Sequence, residues 1–99
     1  MCGITGIINL NEENINPDLL KRMAKSLNHR GPDDIGFFIN NNIGFANTRL
    51  SILDIKGGHQ PFLSDDKKII IIQNGEIYNY LEIAEELKNT RYHCNTSSD

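Results

Sequence analysis

The apolar positions of the first thirty residues change from a strand pattern to a helical one. Residues 2–10 form an apolar run with two glycines, which predicts a β-strand. After a polar segment, Pro17 favours the first turn of a helix, with Asn16 as its N-cap. The helix should end near Asn28, before Gly31 and Pro32. Its apolar face, at helical spacing, is predicted to consist of Leu19, Leu20, Met23, Ala24 and Leu27.

The rest of the chain predicts strands and one more helix. Residues 35–39 and 43–46 flank Asn40-Asn41-Asn42, which indicates a hairpin turn because asparagine tolerates left-handed backbone angles. The isoleucines at 69–72 predict a strand buried on both faces. A short strand is expected at 92–96. A second helix should begin near Asn79, with Glu82 as its capping-box partner and an apolar stripe of Tyr80, Leu81, Ala84 and Leu87.

Together these elements predict a mainly antiparallel mixture of strands and helices. The helices are grouped and do not alternate strictly with the strands. A layered sheet sandwich with helices outside therefore fits better than a doubly wound parallel sheet.

Composition narrows the class of protein. The 99 residues suffice for one small domain, and the 38% hydrophobic and 23% charged fractions are typical of a soluble globular chain. A net charge of −3 disfavours a general nucleic-acid binder. No apolar stretch approaches the ~20 residues that span a bilayer, and no signal-peptide pattern is visible. We therefore expect a cytoplasmic protein that binds neither nucleic acid nor membrane.

The cysteines and histidines do not indicate a disulfide or a metal site. Cys2 and Cys94 could pair, but reduced thiols are favoured in a chain without a secretory signal. Neither cysteine has CxxC spacing. His29, His59 and His93 are scattered singly, so no metal is predicted.

Cys2 directly follows the initiator methionine. Removal of Met1 would give one residue both a thiol and a free α-amine. An amine with a pKa of about 8 can act as the base that a thiol nucleophile needs. Taken alone, Cys2 is better explained as a small, buried strand residue, so the nucleophile hypothesis depends on the other motifs.

Four motifs in order carry a resemblance that covers the whole chain. They are Met1-Cys2-Gly3-Ile4, then His29-Arg30-Gly31-Pro32-Asp33-Asp34, then Thr48-Arg49-Leu50-Ser51-Ile52-Leu53-Asp54 with Gly58-His59-Gln60-Pro61, and finally Gln73-Asn74-Gly75-Glu76-Ile77-Tyr78-Asn79. With these motifs the chain resembles the class II, N-terminal-nucleophile glutamine amidotransferases. Among them, it resembles the form found at the front of glutamine-hydrolysing asparagine synthetases.

The resemblance implies a fold and a domain organisation. The fold is the α+β, four-layer αββα sandwich of N-terminal-nucleophile hydrolases, with mainly antiparallel sheets. Residues 1–99 would be the N-terminal part of that domain, in a truncated chain that lacks the synthetase domain. We expect such a short chain to be marginally stable and weak or inactive alone.

The resemblance also implies roles in catalysis. Cys2 would attack the side-chain amide carbon of glutamine and form a thioester while ammonia departs, with its own α-amine as proton shuttle. The oxyanion that forms needs donors, and Asn74 and Gly75 would supply a side-chain amide and an unshielded backbone N–H. The alternative for Asn-Gly is a type I′ hairpin turn.

Substrate binding would involve both charged groups of glutamine. Arg49 would grip the α-carboxylate through its bidentate fork, although it could instead be a solvated strand arginine. Asp99 matches the aspartate that binds the α-ammonium. The motif around Gly31 and Pro32 suggests a fixed loop that shapes the site, without a catalytic role. The remaining substrate-binding candidates are Leu50, Ser51, Ile52, Leu53 and Glu76.

No cofactor is expected for glutamine hydrolysis. ATP and Mg²⁺ would belong only to the absent synthetase domain, which would use the ammonia to convert aspartate to asparagine. The expected partners are L-glutamine and that domain of a longer chain, with a possible homodimer in the full enzyme. The alternatives are an inactive fragment, a glutamine-binding module, or an amidotransferase with another acceptor.

Overall fold

The strands and helices form a small α+β structure with antiparallel sheets. The computed structural model describes residues 1–51 and 57–97. Within these ranges the elements in chain order are β1 (Gly3–Ile8), α1 (Pro17–Ser26), β2 (Asp34–Asn40), β3 (Ile43–Arg49), β4 (Phe62–Leu63), β5 (Ile70–Ile71) and α2 (Tyr80–Leu87).

Strand β3 lies at the centre of a three-stranded sheet in the order β1-β3-β2. Both neighbours pair with it in antiparallel fashion, with Gly3 opposite Thr48 and Asp34 opposite Arg49. The turn between β2 and β3 contains Asn41 with a φ of 52°. This confirms the hairpin that the asparagine cluster predicted, since asparagine adopts the left-handed region at little cost.

Helix α1 begins where its sequence predicted. The Asn16 side-chain oxygen accepts hydrogen bonds from the backbone N–H groups of Asp18 (3.0 Å) and Leu19 (3.4 Å). Pro17 occupies the first turn, where its missing N–H costs nothing. The helix ends at Ser26, and the Leu27 N–H then bonds the carbonyl of Ala24. The capping prediction is therefore confirmed.

The core lies between α1 and one face of the three-stranded sheet. Leu20 and Ala24 of α1 are fully buried against Ala46, with Ile15 beside them and Ile7 packed at the margin. Burying a leucine completely contributes about 1.5–3 kcal/mol. The buried stripe of α1 is narrower than its sequence predicted, because Leu19 is exposed and Met23 and Leu27 are half-buried.

The prediction for the isoleucine run was wrong about burial. Strand β5 is limited to Ile70–Ile71, and its one partner among the described strands is the equally short β4. Ile69 is 61% exposed and Ile71 is 53% exposed. β-Branched residues favour extended backbone, but burial on both faces requires a packed layer on each side. Strand β4 supplies only an edge partner.

The two last predicted elements are only partly confirmed. Helix α2 begins at Tyr80 with Asn79 as N-cap, but the Asn79 side chain makes no capping hydrogen bond, so the capping-box prediction was wrong. No residue of α2 is fully buried. Residues 92–96 form turns and bends in place of the expected strand, because no described strand pairs with them. Across residues 1–51 and 57–97, no helix has the length and apolar character to cross a membrane.

The two N-caps provide a matched test of the capping energetics. Asn16→Ala removes a side chain that accepts two backbone hydrogen bonds, and should lower the free energy of unfolding by about 1 kcal/mol. Asn79→Ala removes a side chain without such bonds, and should change the free energy by less than about 0.5 kcal/mol. Urea unfolding of the two variants checks this, and equal losses would contradict the assignment.

Candidate active site

The face of the sheet opposite α1 carries the candidate site. Side chains alternate between the two faces of a strand. Thr48 faces α1, since its hydroxyl donates to the carbonyl of Leu27 (3.2 Å). Its neighbour Arg49 therefore belongs to the opposite face. Because Gly3 pairs with Thr48, Cys2 continues β1 beside Arg49, in the same row at the end of the sheet.

Cys2 is half-buried, and its sulfur lies 4.0 Å from the carbonyl oxygen of Leu50. Leu50 directly follows β3. Cys94 is exposed, and both cysteines are free thiols. This confirms the prediction of reduced cysteines and leaves the Cys2 thiol available for chemistry.

Arg49 is the last residue of β3 and is only 5% exposed. The alternative of a solvated strand arginine is therefore wrong. Gly58 lies directly against the guanidinium, and a Cβ at that position would overlap with Nη2. The absence of a side chain at Gly58 thus makes room for the buried guanidinium. A cation held in this way suits the recognition of a carboxylate.

The segment that follows Gly58 also lies on this face. His59 Nδ1 is 2.5 Å from Asp34 Oδ2, and Asp34 pairs with Arg49 across the sheet. Gln60 Oε1 accepts a hydrogen bond from the backbone N–H of Gln73 (2.7 Å). Residues 58–60 therefore connect the row of Cys2 and Arg49 to the fourth predicted functional segment, which begins at Gln73.

Asn74, Gly75 and Glu76 are exposed in the connection between β5 and α2. The alternative of a type I′ hairpin turn is wrong, because a helix follows and not a paired strand. Among the described residues, no hydrogen bond joins Asn74 or Gly75 to Cys2. The arrangement thus brings Cys2, Arg49 and Leu50 together, but it does not place the predicted oxyanion donors at the thiol.

Three predicted substrate-binding residues, Ile52, Leu53 and Asp99, lie outside the described residues. Leu50 and Ser51, which directly precede Ile52, are described. Leu50 presents its carbonyl oxygen to Cys2, and Ser51 donates its N–H to Asp33 Oδ2 at 2.8 Å. In the described part of this segment, the Leu50 carbonyl is thus a backbone group that meets the thiol.

The motif around Gly31, which had no assigned role, packs against the end of β3. A Cβ at Gly31 would lie 2.5 Å from the backbone carbonyl carbon of Thr48 and from the backbone nitrogen of Arg49. Pro32 forms a bridge to Arg49, and the Asp33 N–H donates to the Arg49 carbonyl (3.0 Å). This agrees with the expectation of a fixed loop that shapes the site. The signal in the sequence was the glycine and the proline of this motif.

Asn47 is a polar residue on the same face that sequence reasoning missed. It is 1% exposed, and its side-chain NH₂ has no hydrogen-bond partner among the described residues. An unpaired buried donor costs about 1–3 kcal/mol. A single asparagine inside a strand has no motif that would have singled it out.

Comparison with known proteins identifies the family. The model of the glutamine amidotransferase domain matches residues 1–99. The chain belongs to this family. The resemblance indicated by the four motifs is thereby confirmed.

Three relatives show which members the chain is similar to. Asparagine synthetases [glutamine-hydrolyzing] 2 and 1 of Bacillus subtilis (strain 168) are 46% and 44% identical over 102 residues, which cover all of this chain. A probable asparagine synthetase [glutamine-hydrolyzing] of Schizosaccharomyces pombe is 42% identical over 101 residues, also covering all of it. The chain spans only 13%, 16% and 18% of the length of these relatives.

The packing of Gly31 predicts a large cost for a single methyl group. In Gly31→Ala the new Cβ would collide with the backbone of β3, which cannot move without breaking its ladder, so we expect a loss of about 1–3 kcal/mol. Gly75→Ala is the control, since the nearest atom there is at 3.7 Å, an ordinary contact. Urea unfolding measures both variants, and a Gly31→Ala chain as stable as Gly75→Ala would refute the contact.

Proposed function

We propose that this chain hydrolyses L-glutamine to glutamate and ammonia through a thioester on Cys2. The observation that carries the proposal is the row formed by the Cys2 thiol and the buried Arg49 guanidinium on one face of the sheet. The row offers a nucleophile and a carboxylate-binding cation side by side. Membership of the glutamine amidotransferase family supports glutamine as the substrate.

The bond-making and proton-transfer steps use the groups of Cys2, the substrate and water. In the form that begins at Cys2, the free α-amine takes the thiol proton while the sulfur attacks the side-chain amide carbon. The amine then passes this proton to the departing nitrogen. The carbon–nitrogen bond breaks, ammonia leaves, and the carbon–sulfur bond of the thioester remains. Attack by water on the thioester releases glutamate and returns the proton to the thiol. No metal or redox cofactor enters these steps.

Arg49 would position the substrate. Its guanidinium is buried at the end of a central strand, so little side-chain freedom remains to be lost when a carboxylate binds. Bidentate pairing with the α-carboxylate would direct the side-chain amide of glutamine towards Cys2. Asp99 would then pair with the α-ammonium, with Ile52, Leu53 and Glu76 completing the pocket.

Asn74 and Gly75 would stabilise the oxyanion. Their segment is attached to the site face through the hydrogen bond between Gln73 and Gln60. Both residues are exposed, so this segment can move towards the substrate without breaking a described core contact. We propose that glutamine binding draws the pair to the thiol.

The larger setting is also a proposal. The sheet covered by α1 corresponds to one helix–sheet pair of the four-layer αββα sandwich. Because the relatives are asparagine synthetases of which the chain spans 13–18%, we propose that the ammonia serves an ATP- and Mg²⁺-dependent synthetase domain that amidates aspartate. A homodimeric full-length enzyme in the cytoplasm completes this proposal.

Selective labelling tests the nucleophile. A diazo-ketone analogue of glutamine should modify Cys2 and spare Cys94, although Cys94 is the more exposed thiol. Cys94 is thus an internal control for unspecific alkylation, and peptide mass mapping identifies the modified residue. Cys2→Ser should lose most glutaminase activity, because a hydroxyl is a far weaker nucleophile. Modification of Cys94 alone would reject covalent catalysis, and binding of glutamine without turnover would indicate a binding module.

Substitution of the buried arginine tests substrate recognition. Arg49→Lys keeps the charge but loses the fork, so the KM for glutamine should rise about tenfold or more. Arg22→Lys, on the exposed part of α1, is the matched control and should leave the KM unchanged. Steady-state glutaminase kinetics provide the measurement. A KM for Arg49→Lys equal to that of the unmodified chain would assign Arg49 a structural role.

A further inference from the structure

One peptide group connects an acidic side chain to the Cys2 thiol. The peptide between Leu50 and Ser51 presents its carbonyl oxygen to Cys2 Sγ at 4.0 Å. Its N–H donates to Asp33 Oδ2 at 2.8 Å. The carbonyl and N–H of one peptide lie in a plane and point in opposite directions. An acceptor that fixes the N–H therefore also fixes the direction of the carbonyl.

We propose that Asp33 is a positioning residue for the Cys2 nucleophile and acts through this peptide group. The Asp33 carboxylate does not touch Cys2 and takes no proton from it. It orients the Leu50 carbonyl, and this carbonyl limits where the half-buried sulfur can lie. The kinetic consequence rests on the proposed glutaminase function, whereas the contact itself does not.

The sheet alone does not hold this peptide. Strand β3 ends at Arg49, so the next peptide group lies beyond the ladder of hydrogen bonds. Asp33 makes two hydrogen bonds where the ladder ends. Its own N–H donates to the Arg49 carbonyl (3.0 Å), and its carboxylate accepts from the Ser51 N–H. The residues on both sides of Leu50 are thereby attached to the same aspartate.

The size of the effect follows from the exposure of Asp33. A thiol attacks efficiently only when it is held near its target, and a displacement of about 1 Å can cost on the order of a hundredfold in rate. Asp33 is exposed, so water can bond the Ser51 N–H when the carboxylate is removed. We therefore expect a loss of about tenfold, which falls mainly on kcat.

The test compares three variants of the full natural chain. Asp33→Ala removes the acceptor. Asp33→Asn keeps an acceptor oxygen at the same place, and Asp65→Ala removes an exposed carboxylate from the loop between β4 and β5. Two quantities are measured: kcat and KM for glutamine, and the rate of Cys2 alkylation by iodoacetamide relative to Cys94 in the same molecule. Urea unfolding reports whether each variant is folded.

The expected result is a pattern that a general loss of stability would not produce. Asp33→Ala should lower kcat about tenfold with little change in KM, and should alter the Cys2-to-Cys94 alkylation ratio at least about threefold. Asp33→Asn should retain most of the kcat and the ratio, and Asp65→Ala should match the unmodified chain. An Asp33→Ala variant with unchanged kcat and ratio would overturn the proposal, as would an equal loss in Asp65→Ala.

The alkylation ratio separates this proposal from the proposed function. If the unmodified chain does not hydrolyse glutamine, the glutaminase proposal fails. A changed ratio in Asp33→Ala that Asp33→Asn restores would still support the positioning role. If the unmodified chain is inactive and Asp33→Ala leaves the alkylation ratio unchanged, both the glutaminase proposal and the positioning role are rejected.

Discussion

The structure depends on β3 being hydrogen-bonded along both edges and covered on both faces. Strands β1 and β2 flank it, α1 covers one face, and residues 58–60 lie on the other at its end. This enclosure makes it possible for Arg49, a charged residue, to be 5% exposed at the end of the strand. The cation is held by a backbone that has little freedom to move.

The buried Arg49 and the exposed pair of Asn74 and Gly75 differ in their packing. A carboxylate that bound at Arg49 would cost little conformational entropy, because the guanidinium is buried at the end of a central strand. Asn74 and Gly75 lie in an exposed connection whose Gln73 is hydrogen-bonded to Gln60 on the site face. In the proposed mechanism, substrate binding and oxyanion stabilisation thus depend on two parts of the chain with very different packing.

The two halves of the described chain differ in how they bury apolar surface. In residues 1–51, α1 and the three-stranded sheet enclose a small core of fully buried side chains. In residues 57–97, the short sheet of β4 and β5 and the helix α2 leave large apolar side chains such as Ile69 and Leu81 mostly exposed. Two-stranded sheets and short helices gain most of their stability from packing against another layer.

Local chemistry determined much of the fold from the sequence alone. Asn16 and Pro17 begin α1, and the asparagine cluster turns β2 into β3, because capping and left-handed turns involve only neighbouring residues. The family also followed from motifs in order. Each of these features depends on residue type and spacing, which the sequence contains directly.

Only the tertiary structure decided what each of these residues touches. The burial of Arg49, the packing of Gly31 on β3 and the bond from Ser51 to Asp33 join segments far apart in the chain. The isoleucine run also shows that sequence alone does not determine burial. Its composition favours a strand but cannot supply the layers that would bury it. Burial and contact are properties of the neighbours that folding brings together, and no local pattern encodes them.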